Sequence, residues 1–453
     1  MSSNNKSGHD FWEPPVIERV LSPIREFMKV EASSGFTLMA CLAVALVWAN
    51  SGWAPLYDAL WNTRLSVGLG ETPLSKPLIL WINDGLMAIF FFLVGLEIKR
   101  EVLVGELNSL RAAALPVAAA VGGMVVPALI FALLNHGQPG IAGWGIPMAT
   151  DIAFALGILA LLGDRVPVSL KVFLTAVAIV DDIGAVLVIA LFYTSHISLV
   201  YLAAGAALVI GMAVLNLSGL RATQVYLVIT AVVWFCVLKS GIHATIAGVV
   251  CAMTIPARAC PDLDFSAWAR LLIDRYEKNH IPARSILNNK KQLEALHELE
   301  IACKKADAPL IRLEHGLHPW VAFMVMPIFA LANAGVQISG SMLPGLADAL
   351  PLGIIGGLIV GKQIGVTLGA LLAIRLGWAS LPQGMSTRHL YGASWLAGIG
   401  FTMSIFIANL ALPGDGAALE TAKFAILCAS LLAGVGGFLI LRSAGNGSAL
   451  PES

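Results

Sequence analysis

Charge is scarce in this chain. Asp, Glu, Lys and Arg make up 12% of its 453 residues, where a soluble domain carries about 25%. Apolar side chains make up 58% and the mean hydropathy is +0.82. Too little polar surface remains to clothe a water-facing body of this size, which excludes a soluble globular enzyme. The formal net charge is zero, from 28 basic and 28 acidic residues, so a basic nucleic-acid-binding face has no support. Cysteine is sparse too. Cys41, Cys236, Cys251, Cys260, Cys303 and Cys428 show no C-x-x-C spacing, and the four inside apolar runs read as small hydrophobes, outside any disulfide or zinc framework. The first thirty residues mix both signs of charge and lack the apolar core of a signal peptide.

Long apolar runs dominate instead. A membrane span needs about 20 largely apolar residues, and twelve candidates fall near 33–50, 78–98, 112–135, 146–163, 170–193, 199–217, 222–238, 241–256, 319–337, 351–374, 391–411 and 421–441. Lipid offers the backbone no hydrogen bonds and the strand alternation of a barrel is missing, so the expected fold class is an all-α polytopic membrane protein of about twelve transmembrane helices.

Loops of one set contain Lys99, Arg100, Arg111, Arg165, Lys171, Arg221, the basic residues from Arg258 to Arg312, Arg375 and Arg388. The opposite set holds only Arg64, Lys76, Lys239 and Lys423, and loops 136–145, 194–198 and 338–350 hold no Lys or Arg. The positive-inside rule then puts both termini in the cytoplasm. The chain divides into a cytoplasmic segment 1–32, a transmembrane domain 33–441 interrupted by a long cytoplasmic connection 257–312, and a tail 442–453 expected to be disordered. In the connection, Phe265, Trp268, Leu271, Leu272 and Tyr276, and then Leu293, Leu296, Leu299 and Cys303, recur at helical spacing, which predicts two amphipathic helices near the membrane face.

Few ionisable groups lie inside the spans: Asp84, Glu97, Asp151, Asp181, Asp182, His243 and Lys362. A charge at a helix centre costs about 2.5–3.5 kcal/mol on insertion scales, so these groups face one another or a cavity, and together they point to an ion or proton path. The sharpest element is Asp181-Asp182 in the middle of the fifth span. Adjacent helix residues are offset by about 100°, so both carboxylates border one cavity without stacking. Two close carboxylates in a poorly hydrated site cannot both ionise cheaply. Such a pair holds protons or a small hard cation such as sodium or lithium, which prefers oxygen ligands.

Ala149-Thr150-Asp151 follows Gly145-Ile146-Pro147, and Gly398-Ile399-Gly400-Phe401-Thr402-Met403-Ser404 is its counterpart in the eleventh span. Both permit a broken helix, and unwound backbone at membrane depth is tolerated only around a cavity. One interrupted span in each half, the fourth and the eleventh, predicts inverted repeats. Lys362 lies mid-span and requires a carboxylate partner or forms the positive end of a site, offsetting the charge left when a carboxylate loses its proton. Asp84 and His243 are as readily lone polar contacts between helices as parts of a path. Glu97, Arg100 and Glu101 at the end of the second span, and Glu314, His315 and His318 before the ninth, are candidate pH sensors or plain headgroup anchors.

The stretches FFLVGLEIKRE, PMATDIAFALGIL, TAVAIVDDIGAVLVIA, VLKSGIHATIAG, RLEHGLHPW, PIFALANAGV and GIGFTMSIFIANLAL together resemble the NhaA family of bacterial sodium/proton antiporters. The likeness runs from about residue 33 to 441. It implies a twelve-helix protein of the bacterial inner membrane with helices four and eleven broken and crossing near the midplane. Asp181 and Asp182 would form the transient cation and proton site, Asp151 and Thr150 would belong to the crossed-helix assembly, and Lys362 would pair with Asp181 or compensate helix charges. The resemblance further implies export of one sodium or lithium for two protons without a cofactor, activation at alkaline pH, and a homodimer formed through a hairpin at about Arg64–Lys76. The long 257–312 connection and the extended N-terminus depart from the family pattern and bear on the pH profile. A sodium-coupled solute symporter and an intramembrane aspartyl protease are the rival functions. The protease is disfavoured because the aspartate pair is contiguous, the symporter because the central spans offer few polar positions.

Overall fold

The computed structural model describes residues 31–67, 74–105, 107–194, 197–258, 265–279, 289–338, 340 and 342–444. Residues 445–453 of the tail expected to be disordered and most of the N-terminal segment lie outside these, while residues 442–444 of that tail continue the last helix. Among the described residues, eight helices are long and apolar enough to cross a membrane, or up to eleven if each of three bent pairs is one span. The protein is a multi-pass membrane protein, and its exterior shows the corresponding inversion: Leu191, Leu199, Val200 and Leu217 are each more than 70% exposed, a face that lipid and not water would cover.

The first span is helix α1, Glu31–Ala49, followed by α2, Ala54–Asn62, and the chain turns by 112° between them. Strands β1, Arg64–Val67, and β2, Leu74–Pro77, pair antiparallel with Arg64 opposite Pro77. They place a hairpin at the expected position. Helix α3, Leu78–Val104, then contains a π-helical turn at Ile82–Leu86. Helix α4 is Leu110–Leu134, started by the Ser109 hydroxyl accepting from Ala112 N at 3.2 Å. The fourth candidate span is a 3-10 segment, Pro139–Met148, and helix α5, Ile152–Leu162, bent by 41°.

Helices α6, Val168–Phe192, α7, Leu199–Leu217, and α8, Thr223–Ser240, follow. Helix α9, Ala244–Thr254, has only 11 residues, shorter than the span expected at 241–256. The two amphipathic helices of the long connection are present as α10, Phe265–Lys278, and α11, Lys290–Ala306. They bury Leu272, Ala295 and Ala302 and are linked by Arg275–Glu298 at 2.8 Å. The connection leaves and returns at one point, because Leu310 N donates to Pro256 O at 3.1 Å.

Helix α12, Pro309–Asn333, starts ten residues before the expected boundary at 319. Pro309 stands in its first turn, where the missing N–H costs nothing. Pro319 inside the helix is followed by a π-helical turn at Val321–Val325, a local widening that accommodates the lost hydrogen bond. Helix α13 is Ala349–Arg375, with a third π-helical turn at Gly356–Gly361. The eleventh candidate span is α14, Thr387–Ala397, and α15, Phe401–Ala411, bent by 42°. Helix α16, Gly416–Ala444, closes the chain.

Two apolar clusters hold these elements together. The larger joins α1 to α6 with α12 to α16 around Phe91, Phe131, Phe329, Phe401 and Phe406. The smaller attaches α7, α8 and α9 to α3 and α12 through Phe92, Leu96, Met212, Tyr226, Cys251 and Leu313. Lipid gives helices no hydrophobic drive to associate, so close packing of small residues decides which pairs meet. The α4–α13 contact is the tightest example: a Cβ on Gly365 would stand 2.1 Å from Gly122 O. Gly361, Gly365 and Gly369 form a stripe on α13 at four-residue spacing. Gly365→Leu is therefore expected to separate α13 from α4 and lower the unfolding temperature of the detergent-purified protein. Overpacking of this sort costs about 1–3 kcal/mol or more. A variant with unchanged thermal stability would show that the seam is not close-packed.

Candidate functional site at two helix breaks

The breaks at 149–151 and 398–400 meet in the interior. Residues that leave helical geometry strand backbone groups, and these must be satisfied locally. Asp151 N donates to Ile399 O at 2.6 Å, and the Thr150 hydroxyl lies 2.8 Å from Ala397 O. Asp151 caps α5 by accepting from Phe154 N at 3.1 Å with Oδ1. Its Oδ2 accepts from Thr402 N at 3.1 Å and from the Thr402 hydroxyl at 2.5 Å. One carboxylate therefore closes the N-terminal ends of both half-helices, α5 and α15, each presenting partial positive charge. Ser404 Oγ donates to Ile146 O at 2.8 Å, completing the cross-links between the broken segments.

Beside this crossing stands the middle of α6. Lys362 Nζ donates to Asp181 Oδ2 at 2.5 Å, with both side chains fully buried. The Thr150 hydroxyl reaches the same oxygen at 2.7 Å. A threonine has one hydroxyl proton, so Thr150 serves Asp181 and Ala397 O in alternation. Lys362 follows directly on the π-helical turn of α13. Gly123 of α4 packs against the next turn, where a Cβ would stand 2.7 Å from Val366 Cγ2, so the glycine seam holds α13 close to α4 beside the lysine.

Asp182 is 4% exposed. Its Oδ1, like Asp181 Oδ1, is buried without a hydrogen-bond partner among the described residues. Orphaned oxygens of this kind are costly and rare in a finished core. Two of them stand here on adjacent carboxylates of α6, beside the Lys362 ammonium. Asp151, Thr150, Asp181, Asp182 and Lys362, all singled out from sequence, come together here. Thr402, Ser404 and the carbonyl oxygens of Ala397 and Ile399 complete the site. Thr402 and Ser404 were visible within the Gly398–Ser404 stretch, but nothing in the sequence says which side chains of that stretch face the other break.

A match to the sequence family described as Na+/H+ antiporter 1 spans residues 25–441. The Na(+)/H(+) antiporter NhaA of Oleidesulfovibrio alaskensis is 56% identical over 430 residues, covering 95% of each chain. That of Koribacter versatilis is 50% identical over 96% of this chain and 95% of its own. That of Rhodospirillum rubrum is 50% identical over 93% and 97%. This chain belongs to the NhaA family. The resemblance read from its motifs is thereby shown across nearly the whole length, and the NhaA relatives are named as antiporters, which are transporters.

Of the remaining candidates of this NhaA-family chain, Glu97 lies within electrostatic reach of Asp182, and the others make contacts of their own. On α3, Arg100 Nε meets Glu314 Oε1 of α12 at 2.9 Å, and Arg100 Nη1 meets Glu101 Oε1 at 3.0 Å. Glu97 lies on the same helix, about one turn nearer the middle of the span. Lys99 Nζ donates to Met253 O at 2.6 Å and Ile255 O at 2.5 Å, closing the C-terminal end of short α9. His315 and His318 are exposed. His243 stands at the opposite end of α9, half-buried, with its ring 5.9 Å from that of Phe406. Asp84 pairs with Lys76 of β2 at 2.7 Å. The candidate sensors thus fall at both ends of the bundle and not in one cluster.

Proposed function

We propose that this chain exports sodium, or lithium, in exchange for protons, through alternating exposure of the Asp181–Asp182 site. The observation that supports this most strongly is the meeting of two helix breaks beside two carboxylates with orphaned oxygens and one buried lysine. A cation entering between Asp181 and Asp182 competes with the Lys362 ammonium for Asp181 and with a proton for Asp182. One bound cation thereby displaces two protons, and the exchange moves one net positive charge inward for each sodium leaving. Asp151 and Thr150 hold the crossing in register, and Lys362 balances charge when the site is empty of sodium.

In the same reading the three bent pairs each count as one span, and α9 as a short twelfth. The order long helix, broken span, long helix occurs in α4 to α6 and again, running in the opposite direction, in α13 to α16. That ordering supports inverted repeats. Both termini lie on the cytoplasmic side of the bacterial inner membrane in this reading, which the loop charges support. Activity rises toward alkaline pH, with Glu97, Arg100, Glu101, Glu314, His315, His318 and His243 as the groups that set the profile. The β1–β2 hairpin is the proposed contact between two copies.

The test is sodium accumulation in proteoliposomes at equal pH on both sides with an imposed potential. A potential of 100 mV contributes about 2.3 kcal/mol per charge moved, so sodium should be driven against its gradient. Exchange that ignores the potential would indicate electroneutral coupling. Sodium movement that requires an organic solute would indicate the symporter.

A further inference from the structure

Three amides outside the aspartate site, two of them buried and the third half-buried, join three different helices. Asn333, the last residue of α12, donates to Asn83 Oδ1 at 2.9 Å, and Asn83 Nδ2 returns a longer bond of 3.4 Å to Asn333 Oδ1. Asn409 of α15 donates to the same Asn333 Oδ1 at 2.9 Å. Asn83 is 7% and Asn333 1% exposed. Asn83 lies in the first π-helical turn of α3, and π-helical turns concentrate at functional positions. Asn333 and Asn409 end the runs PIFALAN and SIFIAN, whose asparagines have no part in the aspartate site.

Their positions relative to that site are informative. Helix α15 begins beside Asp151, where Thr402 is bound, and reaches Asn409 seven residues later, about 10 Å along the axis. Midway between them Phe406 is fully buried. Its ring lies 5.6 Å from that of Phe91, 6.2 Å from Phe329 and 5.9 Å from His243. Above the aspartates the interior is thus filled first by rings and then by amides. The two ends of this arrangement differ in anchorage. The end of α12 is fixed from outside: Tyr57 Oη donates to Leu331 O at 2.7 Å, Asn50 Nδ2 to Val336 O at 2.8 Å, and Ile338 N to Asn50 Oδ1 at 2.7 Å. Helix α15 follows a break, so it can tilt while α12 stands still.

We propose that Asn83, Asn333 and Asn409 form the outer clasp of the transport path: Asn333 is the fixed post, and Asn409 latches the half-helix α15 to it. The proposal rests on the antiport reading and on the orientation given above. With the clasp closed, the aspartate site is shut off from the extracytoplasmic side. Release of sodium there requires the Asn409–Asn333 bond to break and α15 to swing away with Phe406. The asparagines are positioning residues and touch no cation. Loss of one neutral hydrogen bond changes an equilibrium by about twofold to tenfold, and a ligand's apparent affinity scales with the fraction of protein exposed to its side.

The test replaces Asn409 with Leu, which strands no amide because Asn333 still pairs with Asn83. Asn83→Leu is the second variant, since Asn333 Nδ2 also donates to Phe329 O at 3.1 Å. Apparent sodium KM is measured separately from each face, in right-side-out and inside-out vesicles. Asn409→Leu is expected to lower the external KM and raise the cytoplasmic KM by about twofold to tenfold, and Asn83→Leu, which loosens the post but keeps the Asn409–Asn333 bond, to move both in the same directions by less. Equal shifts on both faces, as from general loosening, would overturn the proposal, and so would unchanged values in folded protein. Wild-type vesicles that show no sodium-driven exchange at all would instead count against the antiport reading and not against the clasp alone.

Discussion

Sodium-driven proton exchange is expected to fall to the level of empty liposomes in Asp182→Asn, while the variant inserts and purifies as the parent does. The amide keeps the shape of the side chain and one oxygen but removes both the negative charge and the exchangeable proton. Asp182 makes no hydrogen bond that secures the fold: its Oδ1 is buried and unpartnered among the described residues. A residue whose removal relieves an electrostatic burden and still abolishes transport acts in binding and not in structure. Fluorescence dequenching in everted vesicles, at saturating sodium and across pH, checks this. Substantial dequenching in a well-inserted Asp182→Asn protein would move the cation to another carboxylate, with Asp151 the nearest alternative. That alternative is disfavoured because both Asp151 oxygens are occupied by Phe154 N and by Thr402.

Lys362 gives the other large effect, and its two substitutions separate two roles. Lys362→Leu leaves the buried Asp181 with the Thr150 hydroxyl alone on Oδ2. Removing one partner of a buried ion pair costs about 3–5 kcal/mol, so the variant should unfold at clearly lower temperature and lose exchange near neutral pH. Lys362→Arg keeps the charge but holds its proton far more firmly. If Lys362 serves mainly as a counter-charge, the Arg variant retains exchange with a displaced pH profile and near-normal thermal stability. If its proton is one of the two exchanged, a well-folded Arg variant is inactive. Thermal unfolding and exchange measured on the same preparations distinguish these outcomes.

The same residues show what could be read before the fold was known. Asp181, Asp182, Asp151 and Lys362 are legible because charge inside a span is expensive and therefore conspicuous. The breaks are legible because Gly, Pro and Thr interrupt otherwise continuous apolar runs. What remained hidden depends on which faces meet. Thr402 binds Asp151 across 251 positions of sequence, and no local pattern encodes that pairing.

Asn83, Asn333 and Asn409 carry no net charge, so their burial raises no alarm in composition. The glycines of α13 stand at four-residue spacing in the sequence, but only the fold shows that they pack on α4. The start of α12 at Pro309 was missed because charged Arg312 and Glu314 make the first turns look like a loop. In the folded chain Glu314 is 7% exposed and neutralised by Arg100, so those turns join the helix.

One measurement bears on the central claim most directly: proton release from the purified protein, in detergent and without any gradient, on addition of sodium or lithium at fixed alkaline pH. Competition between a cation and protons at Asp181 and Asp182 predicts prompt, saturable release approaching two protons per cation bound. It also predicts that release disappears in the Asp181→Asn, Asp182→Asn double variant. Unaltered release from the folded double variant would contradict the claim that these two aspartates are where sodium and protons exchange.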